Sequence, residues 1–189
     1  DKVEDLKDKI ETEESAKHAF VLPFFNMLGY DTYNPLEVRP EFTADQGIKK
    51  GEKVDYAIFL HEKPVLIVEC KHWSQDLDVH DSQLFRCFHV TQTRFALLTN
   101  GIEYRFYTDL DKENKMDEKS FLDFDIRNVK EATVAEISKF HKSNFDEDTI
   151  LNNASGLKYT KSLKGAINQE MQNPSEDLVK LFAKKVYNG

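Results

Sequence analysis

The sequence predicts an α/β (α+β) fold, a mixed central sheet flanked by helices and followed by a helical C-terminal extension. Three observations carry this. Four short runs rich in β-formers follow one another: KVDYAIFL (53–60), PVLIVECK (64–71), RFALLTN (94–100) and IEYRFYT (102–108). Two stretches with apolar residues at helical spacing lie around the first pair of runs. After Asp109 the composition turns charged and polar, and such runs stop. The chain therefore divides into a core over 1–110 and a mostly helical extension over 111–189.

Each element has its own local reason. From Glu11 to Leu28 the residues Ala16, Phe20, Phe24 and Met27 make one apolar stripe at helical spacing, with Pro23 expected to kink the helix. Gly29 stops it, and Tyr30–Pro40 is turn-rich, leading to an extended segment. Thr43–Glu52 is polar, contains Gly47 and Gly51, and reads as a mobile loop. The runs 53–60 and 64–71 are strands joined by a short turn, His61–Glu62–Lys63. Val65–Val68 supplies four consecutive β-formers, as in a strand buried on both faces. Val79–Thr91 is expected to be a helix with Leu84, Cys87, Phe88 and Thr91 on one side. Arg94–Asn100 is a third core strand, and Gly101 turns the chain into Ile102–Thr108, whose alternation reads as an edge strand. Residues 109–120 are loop-like, 131–141 helical, and 143–172 polar with weak periodicity. Asn173–Pro174–Ser175 begins a last helix, Glu176–Tyr187.

A chain of 189 residues can bury one good core. Its longest apolar runs, Val65–Val68 and Phe95–Leu98, have strand length, which excludes a helix of the roughly 20 apolar residues that spans a bilayer. The charged opening, Asp1 to Glu14, lacks the apolar run of a signal peptide, so the cytoplasm is the expected location and no membrane is involved. Cys70 and Cys87 are too few for a disulfide framework and are expected as reduced thiols. The formal net charge of −8 weighs against tight, sequence-blind binding to a polyanion. It leaves room for a site whose acids are neutralised by a metal ion.

The chemistry concentrates at Asp55 and at Glu69-Cys70-Lys71, with 13 residues between the two acids. That is the length of one strand end, a tight turn and a returning strand. Side chains alternate along a strand, so Glu69 and Lys71 share one face while Val68 and Cys70 take the other. Asp55 on the neighbouring strand completes a convergence of three charges. Two carboxylates and the backbone carbonyl of Cys70 are hard oxygen ligands suited to Mg²⁺, with Mn²⁺ a substitute. A bound metal acidifies water and offsets phosphate charge, and a fixed lysine steadies the transition state. The plain alternative is a structural ion pair between Glu69 and Lys71. Cys70, His72, Cys87 and His89 are a poor zinc set, because Cys87 and His89, two apart on a helix, point to different sides.

These residues resemble the PD-(D/E)XK nuclease superfamily, in particular the N-terminal nuclease domain of type I restriction enzyme R subunits and their stand-alone relatives. The resemblance spans about Glu13 to Asp109 and rests on Thr12–Lys17 (TEESAK), Leu28–Asp31 (LGYD), Lys53–Ala57 (KVDYA), Ile67–Lys71 (IVECK), Gln83-Leu84 and Leu98–Gly101 (LTNG). It implies a restriction-endonuclease-like core and Mg²⁺-dependent endonuclease cleavage of DNA that leaves a 5′-phosphate. Asp55 and Glu69 then hold the metal and Lys71 is the catalytic lysine. An acid on the first helix completes the metal site, Glu13 as first choice and Glu14 as second, which periodicity does not settle. Gln83 matches the glutamine of a QxxxY element, but Cys87 stands at the tyrosine place and Val54 precedes Asp55 where proline is usual. Lys49, Lys50 and Lys53 are the expected DNA contacts, and Trp73 either stacks on a base or packs. Motor and modification or specificity subunits are the implied partners, since the chain has no phosphate-binding Gly-x-x-x-x-Gly-Lys-Ser/Thr loop of its own. The rival readings are a catalytically silent binding module, or a scaffold whose working part is the helical region 131–187.

Overall fold

The computed structural model describes residues 2–43, 53–77 and 83–187. A short helix α1 (Lys2–Leu6) leads to α2 (Glu13–Ala16), whose first turn is capped by Thr12 Oγ1 accepting the Ser15 N–H at 3.1 Å. A π-helical turn, Lys17–Val21, joins α2 to α3 (Leu22–Met27). Here the Leu22 N–H reaches back five residues to the Lys17 carbonyl. Pro23 is the cause, for its ring nitrogen has no hydrogen to donate and the ladder widens one turn ahead of it. The kink expected at Pro23 is taken up in this way. Gly29, at φ +82°, ends the helix in the left-handed region that glycine tolerates.

One six-stranded sheet follows, with spatial order equal to chain order: β1 (Val38–Thr43), β2 (Lys53–Leu60), β3 (Lys63–Cys70), β4 (Ala96–Thr99), β5 (Glu103–Tyr107) and β6 (Leu122–Asp125). Among the described residues only the β3–β4 pair is parallel, so the sheet is mixed as expected. Parallel neighbours need a crossover, and α4 (Gln83–Phe88) lies in that connection. This helix is shorter than expected at its C-terminal end: the Val90 and Thr91 N–H groups both turn back to the Cys87 carbonyl.

The expectation that Ile102–Thr108 forms an edge is wrong, because β6 pairs along β5 from Glu103↔Asp125 to Phe106↔Leu122. Alternation reports that one face of a strand meets water; it does not report whether a neighbour sits beside it. The sixth strand, LDFD, is too short and acidic to announce itself, and it carries the sheet past residue 110.

Beyond it come α5 (Glu131–Ile137), α6 (Glu147–Gln172) and α7 (Glu176–Val186). The 26-residue α6 was illegible as a helix because only Ile150 and Ala154 are buried along it. With so little face to bury, no 3.6-residue stripe is written into the sequence. Asp146 starts it, its side chain accepting the Thr149 N–H at 2.8 Å.

Both faces of the sheet are covered. Phe24, Phe25, Tyr56, Val68, Cys70, Tyr104, Phe106 and Phe140 belong to one core cluster, and Ala57, Ile67, Leu84, Cys87, Phe88 and Leu98 to the other. The ammonium of Lys158 on α6 pairs with the buried Asp117 at 2.9 Å, tying the extension to the loop after β5. Among the described residues no helix is long and apolar enough to cross a membrane.

Candidate active site

The β2–β3 ladder runs to Tyr56↔Val68, and just past it the Cys70 N–H donates to the Asp55 carboxylate, whose negative charge acts on Glu69. Val68 and Cys70 are in one core cluster and Ile67 in the other, so Glu69 shares the face of Ile67. The alternation read from the sequence therefore holds. Lys71 lies just past β3, its N–H donating to the Thr99 carbonyl at 2.8 Å.

Glu69 is only 4% exposed. Its Oε1 accepts from Lys71 Nζ at 2.9 Å, and its Oε2 is buried with no hydrogen-bond partner among the described residues. Burial pushes the Glu69 pKa up; the Lys71 hydrogen bond opposes this and the negative charge of Asp55 adds to it. For Lys71, burial pulls the pKa down but its bond to Glu69 wins, and the ammonium is held more firmly protonated. Asp55 is fully engaged. Its Oδ2 accepts the Cys70 backbone N–H at 2.7 Å and its Oδ1 accepts from Lys17 Nζ at 2.6 Å.

Lys17 closes the TEESAK motif, where the sequence assigns it no role of its own. It is 6% exposed, and its ammonium also meets Glu14 Oε1 at 2.6 Å and Glu13 Oε1 at 3.1 Å. Both helix acids thus join the site through one buried cation. Glu13 is the less exposed of the two side chains, 40% against 67%, and its charge acts on Glu69 and Lys71. A signal for Lys17 was present: it falls at i−3 and i−7 from Phe20 and Phe24, a lysine within an apolar stripe. Asn100 is a second missed residue. Its Nδ2 donates to the carbonyls of Trp73 and Gln75, and its Oδ1 accepts the N–H groups of Ile102 and Glu103. One side chain in this way shapes the loop that leaves Lys71.

The other predicted residues are placed as follows. Gln83 is exposed at the first position of α4, and among the described residues no hydrogen bond joins it to Asp55, Glu69 or Lys71. Cys87 is fully buried, so the tyrosine place of the QxxxY pattern is a packing position here. Lys53 is exposed and pairs with Glu41 at 3.3 Å. Lys49 and Lys50 lie outside the described residues. Trp73 packs: its indole N–H donates to the Ile10 carbonyl at 3.0 Å beside Ile10, Ala16 and Phe20. His72 meets the same carbonyl, and His89 lies against the Phe85 carbonyl. Cys70 and Cys87 are buried in clusters on opposite faces of the sheet and form no disulfide.

The donor set can be tested against a divalent cation. Among the described residues no three His, Cys, Asp or Glu side chains form a ready-made cage. Mg²⁺ asks for less: one or two carboxylates, with water and substrate phosphate filling the octahedron. A buried carboxylate oxygen without a donor is costly unless a cation or proton compensates it. Glu69 Oε2, in a carboxylate on which the charge of Asp55 acts, fits that requirement.

The family model for the type I restriction enzyme R protein N terminus (HSDR_N) matches residues 12–122. The matched span runs from the cap of α2 to the start of β6 and contains every candidate site residue. No curated protein and no solved structure gave a significant match.

Proposed function

The chain belongs to the family of type I restriction enzyme R protein N-terminal domains, and from this premise we propose that it is a Mg²⁺-dependent endonuclease that hydrolyses DNA phosphodiester bonds. The family itself is that of a restriction-system component; the reaction, the metal and the substrate are the proposal. One observation carries it: a buried Glu69 carboxylate paired to Lys71, with one oxygen unpartnered among the described residues, within reach of the Asp55 charge. Four apolar residues precede that carboxylate, and a charge is kept in such a place only for a compensating reason.

Asp55 and Glu69 would hold the ion, with the Cys70 carbonyl and Glu13 as the remaining protein donors. When bound, the ion supplies an acidified water and offsets charge on the phosphate oxygens. Lys71, kept protonated by Glu69, orients the attacking water and steadies the charge that builds on the phosphorus-bound oxygens. The Cys70 N–H fixes the Asp55 carboxylate, so that one of its oxygens cannot rotate away. Gln83, exposed on α4, is free to reach a phosphate. Lys49, Lys50 and Lys53 would line the path of the duplex, and a motor or specificity subunit would bring it.

The test is a supercoiled-plasmid assay with Mg²⁺ or Mn²⁺, comparing the wild type with Lys71→Ala. Nicking by the wild type that disappears in the variant supports the reading. Equal traces from both would sink it. A second reading, a silent DNA-binding module, is favoured by one observation: Cys87, at the place of a tyrosine, is sealed in the core. Binding without cleavage in the same assay would select it.

A further inference from the structure

Lys17 occupies an unusual position. One ammonium, 6% exposed, is held by Asp55, Glu14 and Glu13 at 2.6, 2.6 and 3.1 Å. It sits at the junction of α2 and the π-helical turn, the widened stretch that Pro23 forces on the helix. Three carboxylates around one lysine leave a local excess of two negative charges, so the cluster still attracts a cation. Asp55 Oδ1, the oxygen that Lys17 holds, belongs to a residue placed among the metal ligands above; its other oxygen is engaged by the Cys70 amide.

We propose that Lys17 is a tethered counter-ion that competes with the divalent cation for Asp55 Oδ1. In the metal-free protein it gathers Asp55 with Glu13 and Glu14 and suppresses their mutual repulsion. On metal binding it yields that oxygen and stays with the helix acids. The helix acids and the strand acid thereby remain assembled in both states, and the site does not have to be built by the metal from repelling parts. This rests on the reading of Asp55 and Glu69 as metal ligands.

The test is Mn²⁺ binding to the full chain without DNA, followed by paramagnetic resonance of free Mn²⁺, for wild type, Lys17→Met and Lys17→Arg. Lys17→Met keeps length and removes the competing charge. It should bind Mn²⁺ about fivefold tighter or more, the factor expected from one charge at ion-pair range even in bulk water. Its melting temperature in chelator should fall, and added metal should raise it by more than it raises the wild type's. Lys17→Arg should stay close to wild type. Wild-type binding with unchanged or weaker binding by Lys17→Met would make Lys17 an ordinary structural ion pair and overturn this inference alone. No Mn²⁺ binding by the wild type would remove the metal site itself. Should Lys17→Met fail to fold, the wild type suffices: the Lys17 ammonium signal in ¹H–¹⁵N spectra should be protected in chelator and shift at saturating Mg²⁺. A signal unchanged by Mg²⁺ overturns the proposal.

Discussion

Replacing Asp55 by alanine separates a purely chemical aspartate from one that also holds the fold. Were Asp55 a metal ligand and nothing more, Asp55→Ala would abolish cleavage and leave the fold intact. The geometry changes that expectation. Removing the carboxylate leaves the Cys70 amide, inside the sheet, without its acceptor at 2.7 Å; losing a hydrogen bond to a charged group costs about 1.5–3 kcal/mol. It also strips the buried Lys17 of one of its two closest partners, while Glu13 and Glu14 remain. Because these two partners survive, the loss stays near or below the lower end of the about 3–5 kcal/mol for breaking a buried pair outright. The two losses share one side chain and are not independent, so the expected destabilisation is about 3–4 kcal/mol. The assay is urea unfolding in chelator, with the midpoint compared at equal slope. Asp55→Asn, which can still accept from the Cys70 amide, should lose less. A fall below about 1 kcal/mol for Asp55→Ala, against the usual scale for a lost buried network, would refute this account of Asp55 as the tie between α2, β2 and β3.

Glu69→Gln should act with the opposite sign: cleavage vanishes, while the metal-free protein gains stability at neutral pH. The folded-state pKa of Glu69 is raised, so the folded chain holds its proton in the interval between the ordinary glutamate pKa and that raised value. Wild-type stability in chelator should therefore decline as pH rises through that interval, and the Glu69→Gln curve should lack this decline; parallel curves would dismiss the effect. Gly101→Ala places a methyl 2.8 Å from Phe20 Cβ at φ +84°, and the strained backbone with overpacking should cost about 2–4 kcal/mol, or about 5–15 °C in Tm. An unchanged Tm would mean that the turn and the helix separate easily. DNA binding should be weak, with a slope of log affinity against log salt of about −2 to −4, because few lysines are available to contact phosphates. Reversing Lys49 and Lys50 to Glu should flatten it for all sequences alike, and indifference to that change would move the contact surface elsewhere.

The sequence by itself determined the elements whose residues report their own burial. Val65–Val68 could only be an interior strand, and the acids and lysine beside it were visible because charge there is out of place. Alternation then set Glu69 and Lys71 on one face, which needs only the two-residue period of a strand. Tertiary structure decided whatever depends on a partner distant in the chain. The sixth strand exists because β5 offers it an edge, and LDFD has no strong preference of its own. The long α6 is set down by two buried residues, a cap and ion pairs to Asp117 and Asp123, none of which writes a periodic pattern. Lys17 is the sharpest case. In the sequence it is one of the chain's 26 basic residues, and its burial among three carboxylates arises only when α2 is laid beside Asp55, 38 positions along the chain. Local patterning encodes which face of a strand or helix turns inward; the meeting of side chains from separate elements is settled by packing, where a buried charge must find its opposite.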